Sequence, residues 1–125
     1  MNIADAVACA YMILASNGHE DLKMPLSVPV MEFRAVTEQD RRRGHVSERA
    51  IGLFYPVQPN GLVIAESWDV MVHEAVHFIE FKNHLPLRED WAYFAQDRAY
   101  QCNFGWTNDC PAGAQECWVT SLAPR

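Results

Sequence analysis

Apolar and polar positions change rhythm several times along this chain, and each change marks an element. Ile3, Val7, Ala10, Tyr11 and Leu14 recur at helical spacing and Asn17-Gly18 follows as a stop signal, which predicts a core helix over Ile3 to Ala15. His19 to Ser27 has no period and reads as a connector. Val28 to Val36 alternates loosely, as a strand does, and Thr37 to Arg49 is polar enough to be a loop or a short helix. Ile51 to Tyr55 and Leu62 to Ala65 are short β-rich runs. Between them Pro56-Val57-Gln58-Pro59-Asn60-Gly61 carries two prolines and an Asn-Gly pair, a hairpin signal. Ser67 is a candidate N-cap for an apolar helix from Trp68 to Leu85, and Pro86 cannot continue it. A second helix is expected over Arg88 to Cys102. There Glu89, Ala92, Tyr93, Gln96, Ala99 and Tyr100 form one stripe, in which Ala92 has little bulk and lets two helices approach. The order predicts a single α+β domain over residues 1–125, with a small, mostly antiparallel sheet and helices on one face.

Composition narrows the function classes. Half of the residues are hydrophobic, so a real core is expected and global disorder is not. No apolar stretch reaches the length of a membrane span. The net charge of -6 argues against general nucleic-acid binding. The one basic run, Arg41-Arg42-Arg43, is flanked by Glu38, Asp40 and Glu48 and reads as a solvated face. The N-terminal apolar stretch lacks a preceding Lys or Arg and is interrupted by Asp5, unlike a secretory signal, so a cytoplasmic protein is expected. Cys9, Cys102, Cys110 and Cys117 allow three pairings if all bridge. A bridge among the last three, or reduced thiols, are the readings their clustering offers.

The chemistry concentrates in His73-Glu74-Ala75-Val76-His77. Residues four apart share a helical face, so both imidazoles can reach one metal ion. Glu74 stands about 100° around the helix from His73, where a general base for a metal-activated water would be. H-E-x-x-H arises by chance in on the order of one chain this short in a few hundred. Here, however, Val70, Met71, Val72, Ala75, Val76, Phe78, Ile79 and Phe81 make the helix apolar almost all round, hence buried. Two buried His and a buried Glu need partners, and a metal serves all three.

A catalytic zinc site wants three protein ligands and an open position. Glu89 is the first candidate for the third, from the face it shares with Ala92 and Tyr93. Its competing role is a first-turn carboxylate that favours the helix dipole. Glu80 on the His-bearing helix is too constrained, and Asp90 and Asp97 point away from the stripe. Gln96 is a candidate hydrogen-bond partner behind the site.

His73-Glu74-x-x-His77 followed by Glu89-Asp90-Trp91-Ala92-Tyr93-Phe94-Ala95-Gln96 resembles the gluzincin branch of zinc metallopeptidases, and more narrowly the small bacterial and phage zincin-like proteins with an E-x-x-A-Y-x-x-Q helix. The resemblance covers Ile51 to Gln101. It implies a minimal zincin-like fold, Zn²⁺ held by His73, His77 and Glu89, and a peptide or protein substrate, with no nucleic acid or membrane partner. The substrate would add as a strand to the sheet edge beside the metal. Zinc would lower the pKa of its water, and Glu74 would take the proton as a peptide carbonyl is attacked and pass it to the leaving amine. His84, two turns beyond His77, is the first choice to steady the oxyanion, ahead of His45, Tyr93 and Tyr100. The alternative is a non-enzymatic, zinc-stabilised domain that binds a partner protein.

Overall fold

A computed structural model describes residues 3–57 and 59–102. The chain runs α1 (Ile3–Ala15), β1 (Val30–Phe33), α2 (Glu38–Gly44), β2 (Leu53–Tyr55), β3 (Leu62–Ala65), α3 (Trp68–Lys82), α4 (Glu89–Gln96) and a 3₁₀ turn over Ala99–Gln101. Over the described residues this is an α+β fold of four helices and a three-stranded sheet.

The hairpin forms where Asn60-Gly61 places it. β2 pairs antiparallel with β3 in the register Leu53↔Ile64, Phe54↔Val63 and Tyr55↔Leu62. Gly61 has φ +86°, and a Cβ there would stand 2.5 Å from the Phe54 ring, so only glycine suits the bend. The expectation of a mostly antiparallel sheet is corrected at β1. That strand runs parallel to β3, from Val30↔Leu62 to Phe33↔Ala65, and the order is β1-β3-β2. A parallel pair needs a crossover, and α2 with its flanking segments provides it.

The sheet's two faces are covered differently. Phe54, Val63 and Ala65 join the main core with α1, α3 and α4. Leu53, Tyr55 and Ile64 face the other way with Val36. α2 sits over that second face, where the Tyr55 hydroxyl donates to the Asp40 carbonyl and Gly44 lies against Leu53. Helices therefore occur on both faces, not one. Thr37 and Asp40 form a capping box at the start of α2, and Arg34 donates twice to the Asp40 carboxylate. The adjacent guanidinium holds that carboxyl well below the usual range.

Ser67 stands at the N-cap of α3, but its hydroxyl donates to Asp69 rather than capping the helix backbone. The second predicted helix is shorter than Arg88 to Cys102. α4 stops at Gln96 and the chain tightens into the 3₁₀ turn, where the Ala99 carbonyl accepts from the Trp68 indole. Cys102 then bonds to Cys9 on α1, with Cα atoms 5.7 Å apart. This takes Cys102 out of any pairing within the C-terminal cluster; Cys110 and Cys117 lie outside the described residues. Since 93 positions separate the two sulfurs in sequence, the bond restricts the unfolded chain strongly. Replacing both cysteines by Ala is expected to lower stability by about 3–5 kcal/mol in urea unfolding. A change below about 1 kcal/mol would mean that packing alone docks the turn on α1. No described helix is long and apolar enough to cross a membrane.

Candidate metal centre

α3 is apolar all round because it is enclosed. It packs on β2 and β3 on one side and on α1 and α4 on the others. His73, Glu74 and His77 are consequently only 7%, 6% and 5% exposed. The helical spacing brings the two rings to 5.2 Å between centroids, nearly perpendicular. One ligand atom from each of His73, Glu74 and His77 lies within 4.8 Å of the others, a buried group with the geometry and chemistry to hold a metal ion.

α4 delivers two more groups. Close approach rests on Ala92 and Ala95, which are fully buried. From the first turn Glu89 reaches across, with Oε1 2.7 Å from His77 Nε2 and Oε2 3.2 Å from His73 Nε2. From the last turn Gln96 meets the far side of His73, its Oε1 2.7 Å from Nδ1. Glu80, three residues beyond His77 on α3, meets that ring's Nδ1 at 2.9 Å.

These partners orient the imidazoles. The Gln96 carbonyl oxygen and the Glu80 carboxylate accept, so Nδ1 of each ring donates and each Nε2 turns toward Glu89. Burial pulls the His73 pKa down, which leaves its Nε2 a bare lone pair at neutral pH. That lone pair faces a carboxylate oxygen at 3.2 Å, a repulsive contact that a cation between them reverses. The donor set of two imidazoles and a carboxylate suits a divalent metal ion.

The chain matches no family model, no curated protein and no solved structure.

The site opens into a cavity of about 680 Å³ between α3, α4 and the segment from Gly44 to Pro56. His73, Glu74, His77, Glu89, Tyr93 and Gln96 form its polar floor, and Ile51, Leu53, Phe54 and Leu87 contribute apolar wall. β2, an edge of the sheet, runs along this opening. Tyr93 stands edge-on to His73 at 4.7 Å between centroids. His84 is not brought to the site. α3 ends at Lys82, and His84 turns into the left-handed conformation (φ 59°), exposed and off the cavity wall. His45, also left-handed, caps α2 away from the cavity, and Tyr100 does not line it. Among the sequence candidates for oxyanion support, Tyr93 is the one on the cavity wall.

Glu74 is the most perturbed group here. Burial pushes its carboxyl up to about 8, with the Glu89 charge adding to the effect and His77 opposing it. Its Oε2 lies 3.9 Å from His73 Nε2. Gly52, at the entry to β2, makes room for this carboxylate: a Cβ there would stand 2.8 Å from Glu74 Oε2 and 2.3 Å from Val70 Cγ1. Nothing in the sequence singles out Gly52, because its role depends on a side chain that follows it by twenty-two positions and meets it only across the fold.

Proposed function

We propose that this chain is a small zinc-dependent hydrolase acting on peptide bonds. The observation that carries the reading is the pair of imidazole Nε2 atoms aimed at one Glu89 carboxylate, at 2.7 and 3.2 Å, with each Nδ1 already engaged. His73, His77 and Glu89 hold the metal. Zn²⁺ in that position supplies a Lewis acid and lowers the pKa of a coordinated water toward neutrality. Glu74 takes up a proton at its carboxylate beside His73 and returns it to the leaving amine. Its raised pKa suits proton uptake, and a neighbouring cation draws that value back down. Tyr93, which lines the cavity beside His73, donates its hydroxyl to the carbonyl oxygen that becomes negative in this reading. An extended peptide fits the β2 edge, which borders the open cavity.

One observation favours a second reading. Glu74 belongs to the same tight group as the two histidines. If it binds the metal together with Glu89, the site closes with four protein ligands, as structural zinc sites do, and the domain is a zinc-stabilised binding module. The Cys9–Cys102 bond persists where thiols are kept oxidised. It favours a setting outside the reducing cytoplasm that the sequence suggests.

Elemental mass spectrometry of the protein, purified without added metal, tests the centre. About one zinc per chain is expected. Glu89→Ala should lower zinc affinity by more than the roughly 10–100-fold that loss of an outer partner causes. No metal uptake, even with zinc supplied, would sink both readings. Undiminished affinity in the variant would remove Glu89 from the ligand set.

A further inference from the structure

Glu80 is fully buried, yet no Lys or Arg side chain among the described residues pairs with it. Such a carboxylate is costly unless its position repays the desolvation in another way. Its partners show how. One oxygen accepts from His77 Nδ1 at 2.9 Å, and both accept from the Arg88 backbone N–H at 3.1 Å. Arg88 immediately precedes Glu89 and is the N-cap of α4. Its guanidinium is turned elsewhere, to Asp90 and the Trp91 ring. What Glu80 holds is therefore the His77 ring and the main chain at the start of α4, with no Lys or Arg side chain among the described residues paired to it.

We infer that Glu80 is the positioning residue that joins His77 to Glu89: one buried carboxylate sets the tautomer of the first and the placement of the second. This rests on the metal-centre reading above. A carboxylate can only accept, so it keeps a proton on Nδ1 and makes Nε2, which faces Glu89, the ring atom that a metal takes. The same group fixes the peptide from which Glu89 reaches across. Glu80 does not touch the metal, but affinity depends on it through two ligands at once. An amide in its place keeps the shape and removes this discrimination. Its NH₂ can donate to Nδ1, which moves the ring proton to Nε2 and blocks the ligand atom. A merely structural role predicts the opposite balance, a less stable metal-free fold with zinc affinity unchanged, because the Arg88 N–H would lose its carboxylate acceptor.

The test uses the full chain, stripped of metal and reloaded with Zn²⁺ or Co²⁺. Glu80→Gln is expected to lose about 10–100-fold in zinc affinity against a competing chelator. The visible absorption of its Co²⁺ form should shift, while the metal-free melting temperature holds or rises. Zinc affinity within about twofold of wild type and a superimposable Co²⁺ spectrum would overturn the inference while leaving the metal centre standing. Failure of the wild type to take up either metal would overturn the centre, and this inference with it. If Glu80→Gln does not fold, imidazole ¹⁵N shifts of the wild-type protein decide. A proton on His77 Nδ1, whether or not Nε2 also carries one, supports the role, and a bare Nδ1 overturns it.

Discussion

Glu74→Gln is expected to cut hydrolysis of a mixed peptide library by the zinc-loaded protein roughly 10²–10⁴-fold, the usual span for a general base, with metal content unchanged. Gln is close to isosteric and cannot take up the proton. The same variant separates the two readings of the site. In the hydrolase, Glu74 stands beside the metal and its loss spares zinc. In a closed structural site it is a ligand, and zinc weakens with it. Peptide turnover that survives the substitution would exclude Glu74 as the base.

Glu74→Gln also carries a pH signature in the metal-free protein. The folded carboxyl sits near 8, against an ordinary value of 4.5. Between those values the unfolded chain releases this proton and the folded chain keeps it. Stability therefore declines as pH rises through that window and levels off above it. The contribution is fully present below the ordinary value and gone beyond about 8. Burial lowers His73, which opposes the trend at acid pH, while the net shift of His77 is upward. Comparison with Glu74→Gln isolates the carboxyl. The variant should lose most of the downward slope in chelator-treated samples unfolded by urea across the window, and parallel slopes would show that Glu74 is ionised in the fold.

Gly52→Ala is the second large effect. The added methyl meets Val70 Cγ1 at 2.3 Å and Glu74 Oε2 at 2.8 Å. Neither neighbour has slack, because Val70 is 5% and Glu74 6% exposed on an enclosed helix. Overpacking of this kind costs about 1–3 kcal/mol. Displacing the base by an ångström costs on the order of 10²-fold in rate. Both losses are expected together, in urea midpoint and in peptide turnover, with zinc content near wild type because the atoms nearest the added methyl belong to Val70 and Glu74, not to His73, His77 or Glu89. A variant as stable and active as wild type would mean that β2 stands farther from α3 than the packing described above.

The first helix, the His-bearing helix and the hairpin were legible because their signals are local. α1 begins and ends where the apolar stripe does, and Leu62–Ala65 is a strand over the expected residues. The His-bearing helix announces its burial by being apolar on every face. Where several segments had to be weighed against each other, local signals failed. Nothing in Val30–Phe33 tells a parallel partner from an antiparallel one. The stripe through Tyr100 continued a helical period that the chain abandons at Gln96, because docking Ala99 and Cys102 against Trp68 and Cys9 outweighs further helical turns.

The candidate site divides in the same way. H-E-x-x-H places two imidazoles and a carboxylate on one helix because a 3.6-residue period is a property of the backbone alone. Gln96 and Glu89 share a face of α4 for the same reason, so sequence sufficed to nominate them. Sequence could not orient His84, whose left-handed backbone follows from how α3 terminates. Nor could it join Cys9 to Cys102, seat Gly52 under Glu74, or direct Glu80 to both His77 and the Arg88 amide. Periodicity determined which side chains leave a helix together. Only tertiary packing decided which of them meet, because contacts between elements depend on the distance and rotation of whole helices and strands, which no single segment encodes.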